Sequence, residues 1–271
     1  MKILVCVKPV KAELVALNER IEDPLTLNPY DNFALQDIIR VKKELHDSSD
    51  PCEITCMAMG AMSCKDVLTK CVAYGADKAV LLSDKRFGGA DTVATTYTMH
   101  KFVEKTDVPS LIVCGQKSID GETGQVVYGL AKRLNISCVV NVNQIIRICK
   151  DHIVVQVSDE SEMREVKVKL PALIAYNNFT IRQPAFSLLK LKQAKRKEIE
   201  VLNMDDISAE EYKCGTAGSR TKVINVVPNI TKKTDKQVVV EQSDEINVIL
   251  ELIGKHSMKG AEDESGNMGR L

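Results

Sequence analysis

The sequence lacks the features of several large protein classes. Its 271 residues carry no net charge, because 37 lysines and arginines balance 37 aspartates and glutamates. Electrostatic binding to nucleic acid or to an anionic membrane needs an excess of positive charge, so neither is expected as the main partner. No apolar run approaches the ~20 residues that cross a bilayer. The start, MKILVCVKPV, has no small-residue cleavage site, which favours a buried strand over a signal peptide and predicts a cytoplasmic protein.

Metal and disulfide motifs are also missing. The nine cysteines form no CxxC pair, and the four histidines are scattered, so zinc or iron–sulfur ligation has little support. Cys6, Cys56 and Cys114 fall inside apolar strand-like runs, while Cys64 and Cys71 fall in a helical pattern. This placement predicts reduced, buried thiols that pack as small hydrophobic side chains.

The first two thirds of the chain alternates short apolar runs with amphipathic stretches, which is typical of a parallel sheet covered by helices. The runs are rich in Val, Ile, Leu and Cys and show little alternation, as strands buried on both faces do. The predicted strands are Lys2–Lys8, Glu53–Met59, Lys78–Ser83 and Ser110–Gly115. The predicted helices are Tyr30–Leu45, Ser63–Tyr74, Asp91–Glu104 and Thr123–Leu134, with Ser63 and Asp66 resembling a capping box.

The pattern changes after Asn135. Three alternating segments predict an antiparallel meander, and a buried run follows them; the four are Cys138–Cys149, His152–Ser158, Met163–Lys169 and Leu173–Tyr176. From about Ala194 the composition becomes basic and polar, with too little apolar surface for a separate core. The sequence therefore predicts an open α/β domain over residues 1–200, with an antiparallel extension, and a C-terminal arm over residues 201–271 that docks on a partner.

The most informative segment is GQKSIDGETGQV, residues 115–126. It lies between a predicted strand and a predicted helix, at the carboxyl edge of the sheet, where open α/β sheets bind their ligands. Gly115, Gly121 and Gly124 allow a close backbone approach, and the amides after Thr123 start a helix, where a phosphate is favoured. A nucleotide phosphate is one interpretation, and a glycine-rich turn without a ligand is the other.

Three further segments converge on the same edge, and each has two interpretations. Lys8 follows the first strand and either counters a phosphate or lies in solvent. Asn28 and Pro29 either contact the ligand or simply start a helix. Thr92 and Thr95, after Asp91, project from one side of a helix start and offer two hydroxyls to one ligand or serve as caps.

Taken together, these segments resemble the beta subunit of electron-transferring flavoproteins. The resemblance rests on KILVCVKPV (2–10), NPYDNFAL (28–35), GADKAVLLSD (75–84), FGGADTVAT (87–95) and GQKSIDGETGQV (115–126), which occur in this order. It implies an adenine-nucleotide-binding, Rossmann-like α/β fold of the adenine-nucleotide alpha hydrolase type, in a heterodimer with an alpha subunit that carries the flavin. It also implies an electron carrier without catalytic activity of its own. The pattern and the resemblance together predict these nucleotide contacts: Cys6, Lys8, Asn28, Pro29, Tyr30, Asp31, Met59, Asp91, Thr92, Thr95, Gly115, Gln116, Lys117, Ser118, Ile119, Asp120, Gly121, Glu122, Thr123, Gly124, Gln125 and Val126.

The resemblance leaves two cofactors open. In the flavin-bifurcating branch the site holds FAD, which accepts a hydride from NADH; in the ordinary branch it holds a structural AMP. The FGGADT and DGET segments, with Thr92 and Thr95, favour FAD. Three departures from the branch pattern favour AMP: Val127 and Tyr128 replace Gly-Pro, Gln116 and Lys117 replace Arg-Gln, and the loop after the first strand is short.

Residues 182–200 resemble the loop that docks acyl-CoA dehydrogenases. Leu188 matches the leucine anchor, and Leu189 is adjacent; the other interpretation makes Leu188, Leu189 and Leu191 core residues of a helix. Two other protein classes are alternatives. A stress-type nucleotide-binding regulator would lack the long tail, and an adenylating ligase needs a glycine- and serine-rich loop where this chain has VKPVKAE.

Overall fold

A computed structural model describes residues 1–15, 24–44, 52–159, 162–180 and 184–225. Residues Met1–Lys222 form one compact unit, and Val223–Leu271 form a second, of which only residues 223–225 are described. The greater part of the predicted C-terminal arm therefore lies outside the described residues. None of the described helices combines the length and the apolar composition that a bilayer crossing requires.

The main sheet of the described residues has nine strands and is largely parallel. Along the chain its strands are β1 (Lys2–Cys6), β4 (Glu53–Met59), β5 (Lys78–Leu82), β6 (Leu111–Gly115), β7 (Ser137–Ile148), β8 (His152–Ser158), β9 (Met163–Lys169), β10 (Ala172–Tyr176) and β11 (Glu200–Leu202). Across the sheet they run in the order β11-β5-β4-β1-β6-β10-β7-β8-β9. Two short strands, β2 (Pro9–Lys11) and β3 (Leu25–Leu27), pair separately and antiparallel.

Helices cover both faces of the sheet. They are α1 (Pro29–Glu44), α2 (Lys65–Tyr74), α3 (Thr92–Thr106), α4 (Gln125–Leu134), α5 (Leu188–Ala194) and α6 (Gly215–Gly218). Ile3 and Val5 point into the cluster that holds the apolar sides of α1 and α2, whereas Leu4 and Cys6 point into the cluster that holds α3 and α4. Both faces of β1 are buried, which explains why its sequence is a continuous apolar run.

This architecture confirms the predicted open α/β sheet and its antiparallel extension. Strands β7, β8 and β9 pair antiparallel, as the alternating segments predicted. The start of β7 also pairs parallel with β10, which the sequence analysis did not foresee. Six of the nine cysteines are buried, and all nine are free, as expected for thiols that pack as hydrophobic side chains.

One local prediction was wrong. The proposed capping box at Ser63 and Asp66 does not form, because α2 begins only at Lys65. Ser63 lies inside a 3₁₀ turn, Met62–Cys64, that runs straight into the helix. Cys64 precedes the helix in helical geometry and makes no side-chain cap. A capping box needs an extended residue at the cap position, and the 3₁₀ turn removes it.

Candidate functional site

A cleft of about 540 Å³ opens at the carboxyl edge of the sheet, above β1, β4 and β6. The chain passes from β1 outward to β4 and β5 and then returns to β6 on the other side of β1. Such a switch point is where open α/β sheets bind ligands. The cleft is lined by Cys6, Val7, Lys8, Asn28, Asp31, Met57, Met59, Ala90, Asp91, Thr92, Thr95, Met99, Cys114, Gly115, Gln116, Lys117, Ser118, Gly121, Thr123, Gly124, Val126, Val127 and Thr221.

One wall is the loop between β6 and α4, and two side-chain amides hold it in place. Asn28 donates through Nδ2 to the Lys117 carbonyl at 3.0 Å and accepts at Oδ1 from the Ile119 amide at 3.3 Å. Gln116 accepts at Oε1 from the amide of Asn141, on β7, at 2.8 Å. Asn28 precedes α1 and Asn141 lies on β7, so the loop is held from two separate parts of the fold without a ligand.

The end of this loop lines the cleft with Gly121, Thr123 and Gly124. Glu122 and Gly124 both have positive φ, at 49° and 62°, which turns the chain sharply into α4. Among the hydrogen bonds of the described residues, none uses the amides of Gly121, Thr123 or Gly124 as donors. The first amides of a helix also have no partner within the helix, so the start of α4 adds further donors. Together they form a cradle that suits a phosphate.

Lys8 lines the cleft at the rim of the cradle, and its ammonium group is held by the loop. Its role against a phosphate stays a prediction. Its Nζ pairs with Asp120 Oδ1 at 2.7 Å and lies 3.3 Å from the Ser118 hydroxyl. Partial burial acts to raise the pKa of Asp120, but the hydrogen bonds from Lys8 and Ser118 outweigh it and lower that pKa. The lysine is therefore tethered to the loop, with its ammonium group beside Gly121.

Asp31 joins the two central strands of the sheet. Its carboxylate accepts from the Lys8 amide and from the Gly115 amide, both at 2.8 Å. Burial raises its pKa to about 6, against the opposing effect of these hydrogen bonds. Asp31 lines the cleft, but both of its oxygens are engaged by backbone donors at the ends of β1 and β6.

The opposite wall is the start of α3. Asp91 caps this helix by accepting at Oδ1 from the amides of Val93 and Ala94. Its Oδ2 accepts from the amides of Arg220 and Thr221, so partial burial is outweighed and its pKa is lowered. Thr92 and Thr95 line the cleft, and no hydrogen bond among the described residues uses their hydroxyls.

The remaining lining is apolar and comes from strand ends and helix faces. Of these residues, Cys6, Met59 and Val126 were predicted as contacts from the sequence, and Val127 was noted as a bulky replacement near the site. The lining residues that the sequence did not predict are Val7, Met57, Ala90, Met99, Cys114 and Thr221. Met57 and Cys114 share a face of the sheet with Cys6. Met57 lies two residues before Met59 on the same strand, and Cys114 lies beside Cys6 in the strand register, so both positions follow from residues already predicted. Thr221 comes from a segment more than one hundred residues away, and no local pattern points to it.

Several predicted contacts lie outside the lining. They are Pro29, Tyr30, Ile119, Asp120, Glu122 and Gln125. The Tyr30 ring packs behind the loop, with its centroid 5.5 Å from that of Phe179 and 5.7 Å from Lys117 Nζ. Of the two bulky residues noted at the start of α4, only Val127 reaches the cleft, since Tyr128 is 47% exposed and lies outside the lining.

Leu188 and Leu189 lie far from the core. They form the first turn of α5 and are 86% and 64% exposed, so the interpretation of both as core residues of a helix was wrong. Leu191, on the same helix, packs against the core instead. The docking role of the exposed pair stays a prediction.

The fold and the cleft together define an open α/β protein with a candidate ligand site at the switch point of its sheet. Comparison with known proteins narrows this class. Residues 19–207 match the electron transfer flavoprotein domain. The chain is 30% identical to the electron transfer flavoprotein subunit beta of Megasphaera elsdenii, covering 94% of this chain and 97% of that protein.

Two further relatives carry other names. The chain is 33% identical to Protein FixA of Azorhizobium caulinodans, over 82% of this chain and 79% of that protein. It is also 33% identical to the caffeyl-CoA reductase-Etf complex subunit CarD of Acetobacterium woodii, over 82% of this chain and 86% of that protein. The chain belongs to the beta-subunit family of the electron transfer flavoproteins. This membership replaces the stress-protein and ligase interpretations.

Proposed function

We propose that the chain is the nucleotide-binding half of a heterodimeric electron carrier. It pairs with an electron transfer flavoprotein alpha subunit and passes electrons between NADH, or a dehydrogenase, and a partner flavoenzyme such as acyl-CoA dehydrogenase. Family membership supports this role, and so does the relative that is named as a subunit of a reductase-Etf complex. The exposed Leu188 and Leu189 are the proposed docking point for the dehydrogenase.

The observation that carries this proposal is the two-walled cleft at the switch point. The amides of Gly121, Thr123 and Gly124 would hold the phosphates, with Lys8 at the rim as a nearby positive charge. Met57, Met59 and Met99 would pack against the flat rings, because thioether side chains fit aromatic faces well. A volume of about 540 Å³ lies within the range of ordinary ligand sites, about 300–1,000 Å³.

FAD is the proposed occupant. Thr92 and Thr95 line the wall opposite the loop, and their hydroxyls would give FAD polar contacts beyond a phosphate cradle. AMP is the second candidate, because Val127 is buried against the cleft at the start of α4 and takes up space beside the cradle. A bound FAD would supply two-electron acceptance from a hydride donor and one-electron release.

The protein side chains would orient and enclose the nucleotide. Both carboxylates of the lining, Asp31 and Asp91, are held by backbone amides, which leaves no free carboxylate base among the described lining residues. Cys6 and Cys114 are buried thiols on the floor. The same arrangement supports the proposal that this subunit alone turns over no substrate.

The test is to identify the nucleotide. The chain is co-expressed with the alpha-type subunit, the heterodimer is denatured, and the released nucleotides are separated and counted. Two FAD per heterodimer support bifurcation, and one FAD with one AMP supports simple carriage. A heterodimer that releases neither an AMP nor a second FAD contradicts the proposal.

A further inference from the structure

A segment distant in sequence closes one side of the cleft. Residues 214–221, which we call the strap, fold back over the loop 86–91 and the start of α3. Cys214 is buried and accepts a hydrogen bond from Thr98 on α3 at 3.7 Å. The Thr216 amide donates to the Gly88 carbonyl at 3.1 Å. At the far end of the strap, Thr221 lines the cleft.

Asp91 fastens the far end of the strap. Its Oδ2 accepts from the Arg220 amide at 2.6 Å and from the Thr221 amide at 3.1 Å, while the Thr221 hydroxyl lies 3.4 Å away. The backbone of Asp91 takes part as well, because its amide donates to Ser219 Oγ at 2.8 Å. The Ser219 hydroxyl in turn lies 2.7 Å from the Gly215 carbonyl. One aspartate therefore joins the start of α3 to the strap by three hydrogen bonds at 3.1 Å or less.

The fit between the strap and the loop is close. Gly89 has a positive φ of 68°, and a side chain there would collide with Thr216. Gly215, with φ 49°, lies against the backbone carbonyls of Arg86 and Gly88. A segment that rested on the surface by chance would not require glycine on both sides of the contact.

We propose that the strap is the third wall of the nucleotide site, with Asp91 as its positioning residue and Thr221 as a direct contact to the nucleotide. The site is then complete only when the strap is docked, and a bound nucleotide must stabilise the docked strap in return. This inference rests on the proposed function, since it takes an adenine nucleotide as the occupant. It also revises the expected role of Asp91, whose oxygens are engaged by amides of the protein.

The substitution that isolates this role is Asp91→Asn. Asparagine is as good a helix cap as aspartate, so Oδ1 can still accept from Val93 and Ala94. Its Nδ2 group, however, would face the amides of Arg220 and Thr221, and a donor cannot accept from a donor. Ser219→Ala weakens the same fastening from the other side. Glu104→Gln is the matched control, because it makes the same change on the exposed side of α3, where the carboxylate pairs with Lys101 and is remote from the strap fastening.

The measurement is hydrogen exchange of the peptide 214–222, together with the dissociation rate of AMP and of FAD, on the full heterodimer. In Asp91→Asn the amides of the strap should exchange about tenfold faster, and the nucleotide should dissociate about tenfold faster. Ser219→Ala should act in the same direction and Glu104→Gln should match the wild type. Added AMP or FAD should slow exchange of the strap in the wild type.

Thr221→Val separates contact from positioning. Valine keeps the shape of threonine and both backbone amides on Asp91, and it removes from the fastening only the long 3.4 Å contact of the hydroxyl with Asp91. Exchange of the strap should therefore stay within about twofold of the wild type while the nucleotide dissociates faster. If the wild type holds a nucleotide and Asp91→Asn, Ser219→Ala and Thr221→Val all hold it equally well, the third wall is refuted and the proposed function stands. If the wild type binds neither AMP nor FAD, the proposed function fails and the inference fails with it.

Discussion

Replacing Gly115 with alanine tests how tightly the floor of the cleft is built. Gly115 ends β6, and its amide donates to Asp31 at 2.8 Å. An added Cβ would lie 2.6 Å from the Tyr30 Cβ and 2.9 Å from the Asp31 amide nitrogen. Both atoms are fixed to the first turn of α1, so neither can rotate away. The end of β6 and the start of α1 must therefore separate.

The size of the effect follows from these distances. Ordinary contact begins at 3.4 Å, so the gap to the Tyr30 Cβ must widen by most of an ångström. Overpacking of this kind costs about 1–3 kcal/mol, and stretching the hydrogen bond between Gly115 and Asp31 costs about 1 kcal/mol more. We expect Gly115→Ala to lower the free energy of unfolding by about 2–4 kcal/mol.

Urea unfolding of the nucleotide-free chain measures this loss, and Gly121→Ala in the same loop is the control. A Cβ on Gly121 would meet only the Ser118 hydroxyl at 3.6 Å and the Lys8 ammonium at 3.9 Å, so that variant should stay within about 0.5 kcal/mol of the wild type. If both variants unfold at the same urea concentration, then the contact between β6 and α1 is looser than the structure shows, and the reasoning is refuted.

Three other substitutions have equally specific outcomes. Tyr176→Phe removes the hydroxyl that donates to buried Asp37 at 2.7 Å, so urea unfolding should show a loss of about 1–3 kcal/mol while the nucleotide content stays unchanged. Burial raises the Asp31 pKa from 3.8 to about 6, so the native state holds this proton more tightly than the unfolded chain does. As the pH rises from 4 to 6, the free energy of unfolding of the wild type should therefore fall relative to that of Asp31→Asn by up to about 3 kcal/mol. Unfolding measured at each pH tests this. Leu188→Ala should leave unfolding within about 0.5 kcal/mol and slow electron transfer to the dehydrogenase in a coupled assay, whereas Leu191→Ala should destabilise the chain.

The sequence predicted the elements of the fold well because its strands and helices carry different periodicities. The strand β4 has the predicted bounds, Glu53–Met59, and β8 and β9 also agree residue for residue. Such runs are decided locally, by burial on both faces or on alternate faces. The loop 115–126 was found for the same reason, since its glycines and the following helix are adjacent in sequence.

The features that the sequence did not predict depend on contacts between residues distant in the chain. The parallel pairing of β7 with β10 follows from the order of strands in space, and neither segment encodes it alone. Asp31 looks like any acid in a first helical turn, and only the fold shows that it bridges the ends of two strands. Thr221 reaches the cleft at the end of the strap, whose sequence has no helical or strand periodicity that would have predicted this position. Sequence patterns report which face is buried, but they do not report which distant segment buries it.

The charges of the cleft follow from the same contacts. The chain as a whole is neutral, yet each acid at the site is already paired: Asp31 and Asp91 accept from backbone amides, and Asp120 accepts from Lys8. The amides of Gly121, Thr123 and Gly124 have no partner among the described residues, and the Lys8 ammonium group, which pairs with Asp120, lies beside Gly121. The cradle can thus offer hydrogen-bond donors to a phosphate, because the carboxylates nearby already accept from partners within the fold. A net charge of zero gives no electrostatic support for nucleic acid as the main partner, and it is compatible with a single nucleotide at this site.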